Sequence, residues 1–349
     1  MERGDTRIFH QWSEEFLASG KQSPIIGAWK RPLFVGRWEH STDEDEMVFN
    51  IQTSTLFIDL RIPRSKPAHK WEIMGKQLLH NGATSRQILE RFSDNDLCLF
   101  ARQHIFGGFS AMSIENDTKL PLCTRHHCMD WNYVTGKPRP RPNKWYIDGK
   151  KMPNSKCKSF NVWKEWSYAK DENGQCYYHE LWERLLGDER GNGLRLALRK
   201  RRNNDDTVDG IIVAIGDHFN YMIGRNLQDE LHTYPNANNS VELVDFAIVN
   251  GDRDTAISYL LLDGGHGTIS SGWIVDCAIQ PWKHGTSLIS CIKNDRNLVE
   301  IKVRDNGLDY RTWDVILGDS IWDVYETSIH SATELKSLLL TSLHLDSML

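Results

Sequence analysis

Asp59 and Arg61 stand two residues apart in a segment that alternates apolar and other side chains, so both point to one face of a strand. A carboxylate and a guanidinium placed this way form an ion pair, or offer the guanidinium to a ligand carboxylate or carbonyl. Asp217-His218-Phe219-Asn220-Tyr221 follows the apolar run Ile211–Ile215 and puts a histidine, a carboxylate and a phenol where a cavity floor would lie. In a regular strand Asp217 and Tyr221 share one face and His218 takes the other. His218 therefore needs a carboxylate from another strand, such as Glu165 or Glu180, to act as a general acid or base near neutral pH. Arg102, Gln103 and His104 close a helical segment just before Phe106-Gly107-Gly108. Cations there also stabilise the helix dipole, and the two glycines suit either a bulge or a close approach of backbone to a ligand.

Other chemistries are not encoded. Cys123-Thr124-Arg125-His126-His127-Cys128 has the residue types of a zinc site but lacks a paired second half, so no metal is expected. The chain contains no His-Glu-x-x-His, phosphate-binding loop, dinucleotide fingerprint or Gly-x-Ser-x-Gly elbow, so no cofactor is expected. Gly264-Gly265-His266-Gly267 lies between β-like segments and reads as a hairpin loop.

The elements that position these residues are mostly strands. Ile8, Trp12, Phe16 and Leu17 recur at helical spacing, so residues 1–22 are read as a short N-terminal helix. Ile58, Leu60 and Ile62 then alternate with Phe57, Asp59 and Arg61 until Pro63 ends the strand. Residues 70–104 read as a helical insertion in two pieces, the second opened by Ser93 as N-cap with Asp94 and Asp96 in its first turn. Short strand-like runs separated by Pro, Gly, Asn and Asp fill the rest, including 241–249 and 256–262. Ile211-Ile212-Val213-Ala214-Ile215 has no polar face, so that strand should be covered on both sides. The expected architecture is mostly β: two consecutive antiparallel, lipocalin-like barrels over 23–187 and 188–325, followed by a tail over 326–349.

A net charge of −5 argues against a general nucleic-acid binder, and Arg199-Lys200-Arg201-Arg202 reads as a solvated hairpin end. No apolar stretch is long enough for a membrane helix and Met1–Asp5 lacks a secretory core, which points to the cytoplasm without membrane contact. Seven scattered cysteines fit reduced thiols better than a disulfide framework. Thirteen tryptophans, more than packing alone needs, hint at an aromatic-lined cavity, although Trp is also a common filler of β-sheet cores.

With these segments in place, the chain resembles a family of uncharacterised calycin-like proteins from bacteria and eukaryotes, and more distantly a fungal double-barrel family that associates with a casein kinase. The carrying residues are Gly27-Ala28-Trp29, Asp59-Leu60-Arg61-Ile62-Pro63, Ala101-Arg102-Gln103, Phe106-Gly107-Gly108 and the strand from Cys128 to Tyr133. Tyr178-His179-Glu180-Leu181-Trp182, the segment Gly216–Tyr221 and Gln280-Pro281-Trp282-Lys283-His284-Gly285 complete it. The resemblance implies paired barrels with a ligand-sized interior.

The functional expectation is a small, largely apolar molecule held in a barrel and acted on by acid/base chemistry, as in an isomerase, cyclase or lyase. His218 or Glu180 would serve as base, and Arg61 or Arg102 would stabilise an oxyanion. Asp59, Gln103, Trp131, Tyr133, Trp182, Tyr221 and Trp282 are the candidate ligand contacts. The alternative is a non-enzymatic adaptor that binds a protein partner, such as a kinase.

Overall fold

The alternating segments of the first half pair edge to edge and close on themselves. The structure, a computed structural model, describes residues 25–36, 46–64, 66–134, 137, 143–150, 161–187, 193–201, 208–225, 234–288, 299–304, 312–317 and 320–340. Strands β1 (Gly27–Gly36), β2 (Glu46–Gln52), β3 (Leu56–Pro63), β4 (His104–Ile114), β5 (Pro121–Asp130), β6 (Asn143–Lys150), β7 (Val162–Ser167) and β8 (Tyr178–Arg184) follow one another antiparallel. Because β8 also pairs with β1, they form a closed eight-stranded barrel. A barrel of this size has an interior that side chains can fill or that can hold one small ligand.

Between β3 and β4 lie the expected helices, in three pieces: α1 (Lys66–His80), α2 (Ser85–Leu89) and α3 (Asp94–Phe100). Thr84 caps α2 and Ser93 caps α3, each in a reciprocal capping box with the residue three positions on. Their apolar sides meet in a cluster of rings: Trp71, Phe92, Phe100, Trp131 and Trp282 pack with centroids 5.4 to 6.0 Å apart.

The second half contributes β9 (Arg195–Arg201), β10 (Val208–Ile215), β11 (His218–Ile223), α4 (Ser240–Val249), α5 (Arg253–Tyr259), β12 (Asp263–Thr268) and β13 (Ile274–Ala278). After a 3-10 turn at Pro281–Lys283 come β14 (Val299–Arg304), β15 (Thr312–Leu317), β16 (Ser320–Thr327) and α6 (Ala332–Leu340). Its eight strands run in the order β13-β12-β11-β10-β9-β16-β15-β14. The expected second closed barrel is not formed among the described residues: β13 and β14 are edges of an open sheet. The barrel and the helices cover one face of that sheet, and α6 packs on the other through Leu335 and Leu339. The apolar run of β10 is covered on both sides as its composition requires, with Ile211 and Val213 toward the barrel and Ile212 and Ala214 toward α6.

Several sequence expectations are corrected. The segments 241–249 and 256–262 are not strands: α4 covers the first and α5 much of the second, each opened by a side-chain cap, Asn239 and Asp252. Their branched apolar residues resemble strand composition, but the caps and the burial of one face favour helix. Gly264, Gly265 and Gly267 are not a loop but part of β12, buried under the barrel. A Cβ on Gly264 would come within 2.4 Å of Ile105 Cδ1, so the glycines permit close approach of two layers. Arg199 is not solvated; it is buried beside Asp323 at 3.6 Å and lies over the Tyr325 ring. The expected N-terminal helix falls outside the described residues. Among the described residues no helix is long and apolar enough to cross a membrane.

Asn220 fastens the two layers. Fully buried on β11, it donates from Nδ2 to the carbonyls of Phe49 (3.2 Å) and Ile58 (3.1 Å), and its Oδ1 lies 2.9 Å from His266 Nδ1. Burial first, and then His218, push the His266 imidazole down to about 3, so it is neutral and donates that proton to Asn220. Asn220→Ala removes three buried hydrogen bonds between the layers and is expected to cost about 1–3 kcal/mol in a urea melt. A change within a few tenths of a kcal/mol would show that the docking does not depend on this side chain.

Candidate functional site

Closure of the barrel turns every second residue of each strand inward. On β3 the outward residues Ile58, Leu60 and Ile62 join the apolar core beneath the second sheet, while Phe57, Asp59 and Arg61 face the interior. β8 turns Tyr178, Glu180 and Trp182 inward, and β7 turns Trp163, Glu165 and Ser167 inward. Trp29 and Arg31 on β1, Asn50 and Gln52 on β2, Cys123 and Arg125 on β5 and Trp145 on β6 complete the lining.

The charges form one chain across the interior. Arg31 donates to Glu46 at 3.1 Å and to Glu180 at 2.7 Å, and Arg61 Nη1 lies 3.7 Å from the same Glu180 oxygen. Arg61 Nε donates to Asp59 Oδ1 at 2.8 Å, and Arg125 Nη1 donates to Asp59 Oδ2 at 3.2 Å. Asn50 also donates to Asp59, and Arg125 Nη2 donates to Gln52. Arg125 is held between the faces of Phe57 (4.2 Å) and Trp145 (4.5 Å). Of these charged side chains Arg61 is the most exposed, at 12%.

Burial works against ionising Asp59, but Arg61 and Arg125 outweigh it and hold its carboxyl well below the usual carboxylate range. Glu165 behaves oppositely. It is the direct cross-strand partner of Glu180, and burial, then the Glu180 carboxylate, push its carboxyl well above the usual range against the pull of Arg125. Burial pushes the Cys123 thiol up to about 12, so it is an inert neighbour and not a nucleophile.

Around the charges stand indole rings: Trp163 stacks on Trp182 at 5.3 Å and meets Trp29 edge-on at 5.7 Å. Trp29 Nε1 donates to the Ile25 carbonyl. By contrast Nε1 of Trp145, Trp163 and Trp182, Nε2 of Gln52 and Nε of Arg125 are buried without a hydrogen-bond partner among the described residues. The acceptors Glu180 Oε2 and Asn50 Oδ1 are also unpartnered, as is Glu165 Oε2.

Of the residues singled out from sequence, the structure brings Asp59, Arg61, Glu180 and Trp182 into this interior and leaves the others elsewhere. His218 lies on β11, its Nε2 donating to the Leu186 carbonyl at 2.6 Å and its ring stacked on His266. It forms no pair with Glu165 or Glu180. Arg102 pairs with Asp245 at the protein surface, and Gln103 donates to the Phe100 carbonyl. Trp131 and Trp282 belong to the helical ring cluster, with Trp131 Nε1 donating to the Ala101 carbonyl. Tyr133 lies just past β5, its carbonyl accepting from Arg225, and Tyr221 donates to Asp263 in the core under α6. Cys123 faces the barrel interior while Cys128 packs with the outer core, so the two do not converge. Among the described residues no three His, Cys, Asp or Glu side chains gather as a metal site.

Sequence reading missed Arg31, Gln52, Asn50 and Arg125 as site members, and named Glu165 only as a partner for His218. Their signal was present: Trp163 and Glu165 alternate with exposed Lys164, and Cys123 and Arg125 share a strand face. No known protein family, curated protein or solved structure matches the chain.

Asp59→Asn leaves Arg125 buried without its counter-charge and Arg61 with Glu180 alone, an expected loss of about 3–5 kcal/mol at neutral pH by urea denaturation. Because the folded-state value of Asp59 lies below its ordinary 3.8, the wild-type advantage is present above that pH and is lost as the pH falls beneath it. A loss independent of pH down to acid unfolding would contradict the ionised assignment.

Proposed function

We propose that the barrel interior binds one small molecule with a flat, apolar body and oxygen acceptors. The observation that carries this reading is the set of five unpartnered N–H donors, on Trp145, Trp163, Trp182, Gln52 and Arg125, buried inside one barrel. Each such group costs about 1–3 kcal/mol, so five together cost about 5–15 kcal/mol, as much as the whole stability of an ordinary domain. Oxygen acceptors of a bound molecule would offset that cost. Water can satisfy the donors but gains little from stacked indoles, whereas a ring-bearing molecule with carbonyl or carboxylate oxygens satisfies both.

Buried ion pairs support the same reading. Apolar residues of similar volume would fill a barrel as stably or more so. Three guanidiniums are therefore worth keeping where they orient or polarise something. The calycin-like resemblance of the sequence agrees with a ligand-holding barrel. A reaction in this site would be acid/base chemistry, an isomerisation, cyclisation or elimination, with Glu180 as base and Arg61 stabilising a developing oxyanion. His218 and Arg102 have no part in it, because they lie outside the barrel.

Native mass spectrometry of protein purified gently from its own source is expected to show an added mass that disappears on denaturation. Thermal melts against oxygenated aromatic compounds should identify binders, since a ligand at a hundred times its Kd stabilises by about 2.7 kcal/mol. A bare mass together with no thermal response would contradict the proposal and favour a protein-binding adaptor.

A further inference from the structure

Glu165 and Glu180 occupy directly paired positions on β7 and β8, both inside the barrel and 5% and 2% exposed. Side chains opposite one another in adjacent strands have Cβ atoms about 5 Å apart, and two carboxylates that close in a dry interior cannot both be ionised. The arginines decide which one keeps its charge. Arg31 and Arg61 both approach Glu180 Oε1, whereas Glu165 makes no ion pair within 4 Å among the described residues. The Oε2 atoms of both residues are unpartnered within the protein.

Resting on the ligand-binding reading above, we propose that Glu165 and Glu180 hold one proton between them and present it to the oxygen of a carbonyl compound bound in the barrel. In the transfer step the Glu165 O–H bond breaks and a ligand O–H bond forms. Glu165 is left as a carboxylate near Arg125, and a lone pair of the ligand carbonyl oxygen becomes the new O–H bond. The reverse transfer restores both, so no co-reactant is consumed. Glu180, whose Oε1 accepts from Arg31 at 2.7 Å, is placed to take a proton from the carbon adjacent to that carbonyl; the C–H pair then becomes the C=C bond and the carbonyl π pair settles on oxygen, which makes the pair an enolisation device. Glu165 is then a catalytic residue and Arg31 a positioning residue.

The test begins with the ligand-free protein. Infrared spectra at neutral pH should show the carbonyl band of a buried carboxylic acid, present in wild type and missing in Glu165→Gln. Because folding then takes up a proton, the folding equilibrium constant of wild type should fall roughly tenfold per pH unit relative to Glu165→Gln as the pH rises above about 5. Absence of the band in wild type overturns the shared proton whatever the barrel binds. The probe for the second half is para-dimethylaminocinnamaldehyde, whose absorption moves to the red when its carbonyl accepts a proton or a strong hydrogen bond. A red shift on binding to wild type that is lost in Glu165→Gln supports the proposal. Binding without a red shift overturns proton presentation and leaves the binding reading intact. Failure of the aldehyde to bind, with the infrared band present, overturns the carbonyl ligand class alone.

Discussion

Arg31, Arg61 and Arg125 can lie inside a closed barrel only because Glu46, Glu180 and Asp59 lie there with them. Moving a single guanidinium from water into such an interior costs several kcal/mol, so each needs a carboxylate at hydrogen-bonding distance. That requirement fixes the register of strands far apart in sequence: Arg31 on the first strand reaches Glu180 on the last, 149 residues away, and thereby spans the seam where the barrel closes. Shifting any of these strands by one residue would turn its charges outward and its apolar residues in.

The same alternation determines how the rest of the molecule is arranged. Since the inner face of β3 is charged, its outer face is free to be apolar, and Ile58, Leu60 and Ile62 become the platform on which β10 and β11 rest. The open sheet is bound to this platform by Asn220 and by Glu326, which accepts from the hydroxyls of Ser54 and Thr55 in the β2–β3 turn. The helices between β3 and β4 and those between β11 and β12 fill the remaining side, with Arg86 reaching Asp254 and Arg253 reaching Asp94. The barrel wall is thus backed on one side, which holds the inward side chains in place.

Much of the scaffold was legible in the sequence, and much of the site was not. The alternation around Asp59, the cap at Ser93 and the two-sided burial of Ile211–Ile215 are local patterns with local causes, and each is present as expected. The helix 240–249 looks strand-like because Val, Ile and Phe make up half of it, and 253–259 because Ile257 and Tyr259 run on into Leu260–Leu262; burial against neighbouring elements decides their form more than intrinsic propensity does. The glycine-rich strand β12 was read as a loop because close approach to Ile105 is a tertiary fact. The site draws one to three inward residues from each of eight strands, so no short window contains it. His218 looked catalytic because titratable type and an apolar neighbourhood are visible locally, whereas barrel closure, which excludes it, is not.

A crystal structure of the protein taken from its own source, at a resolution that shows ordered solvent, tests the central claim most directly. Density of a bound molecule is expected inside the barrel, within hydrogen-bonding distance of the indole nitrogens of Trp145, Trp163 and Trp182. An interior filled only by protein atoms, with those nitrogens turned onto carbonyl or carboxylate partners of their own, would contradict it.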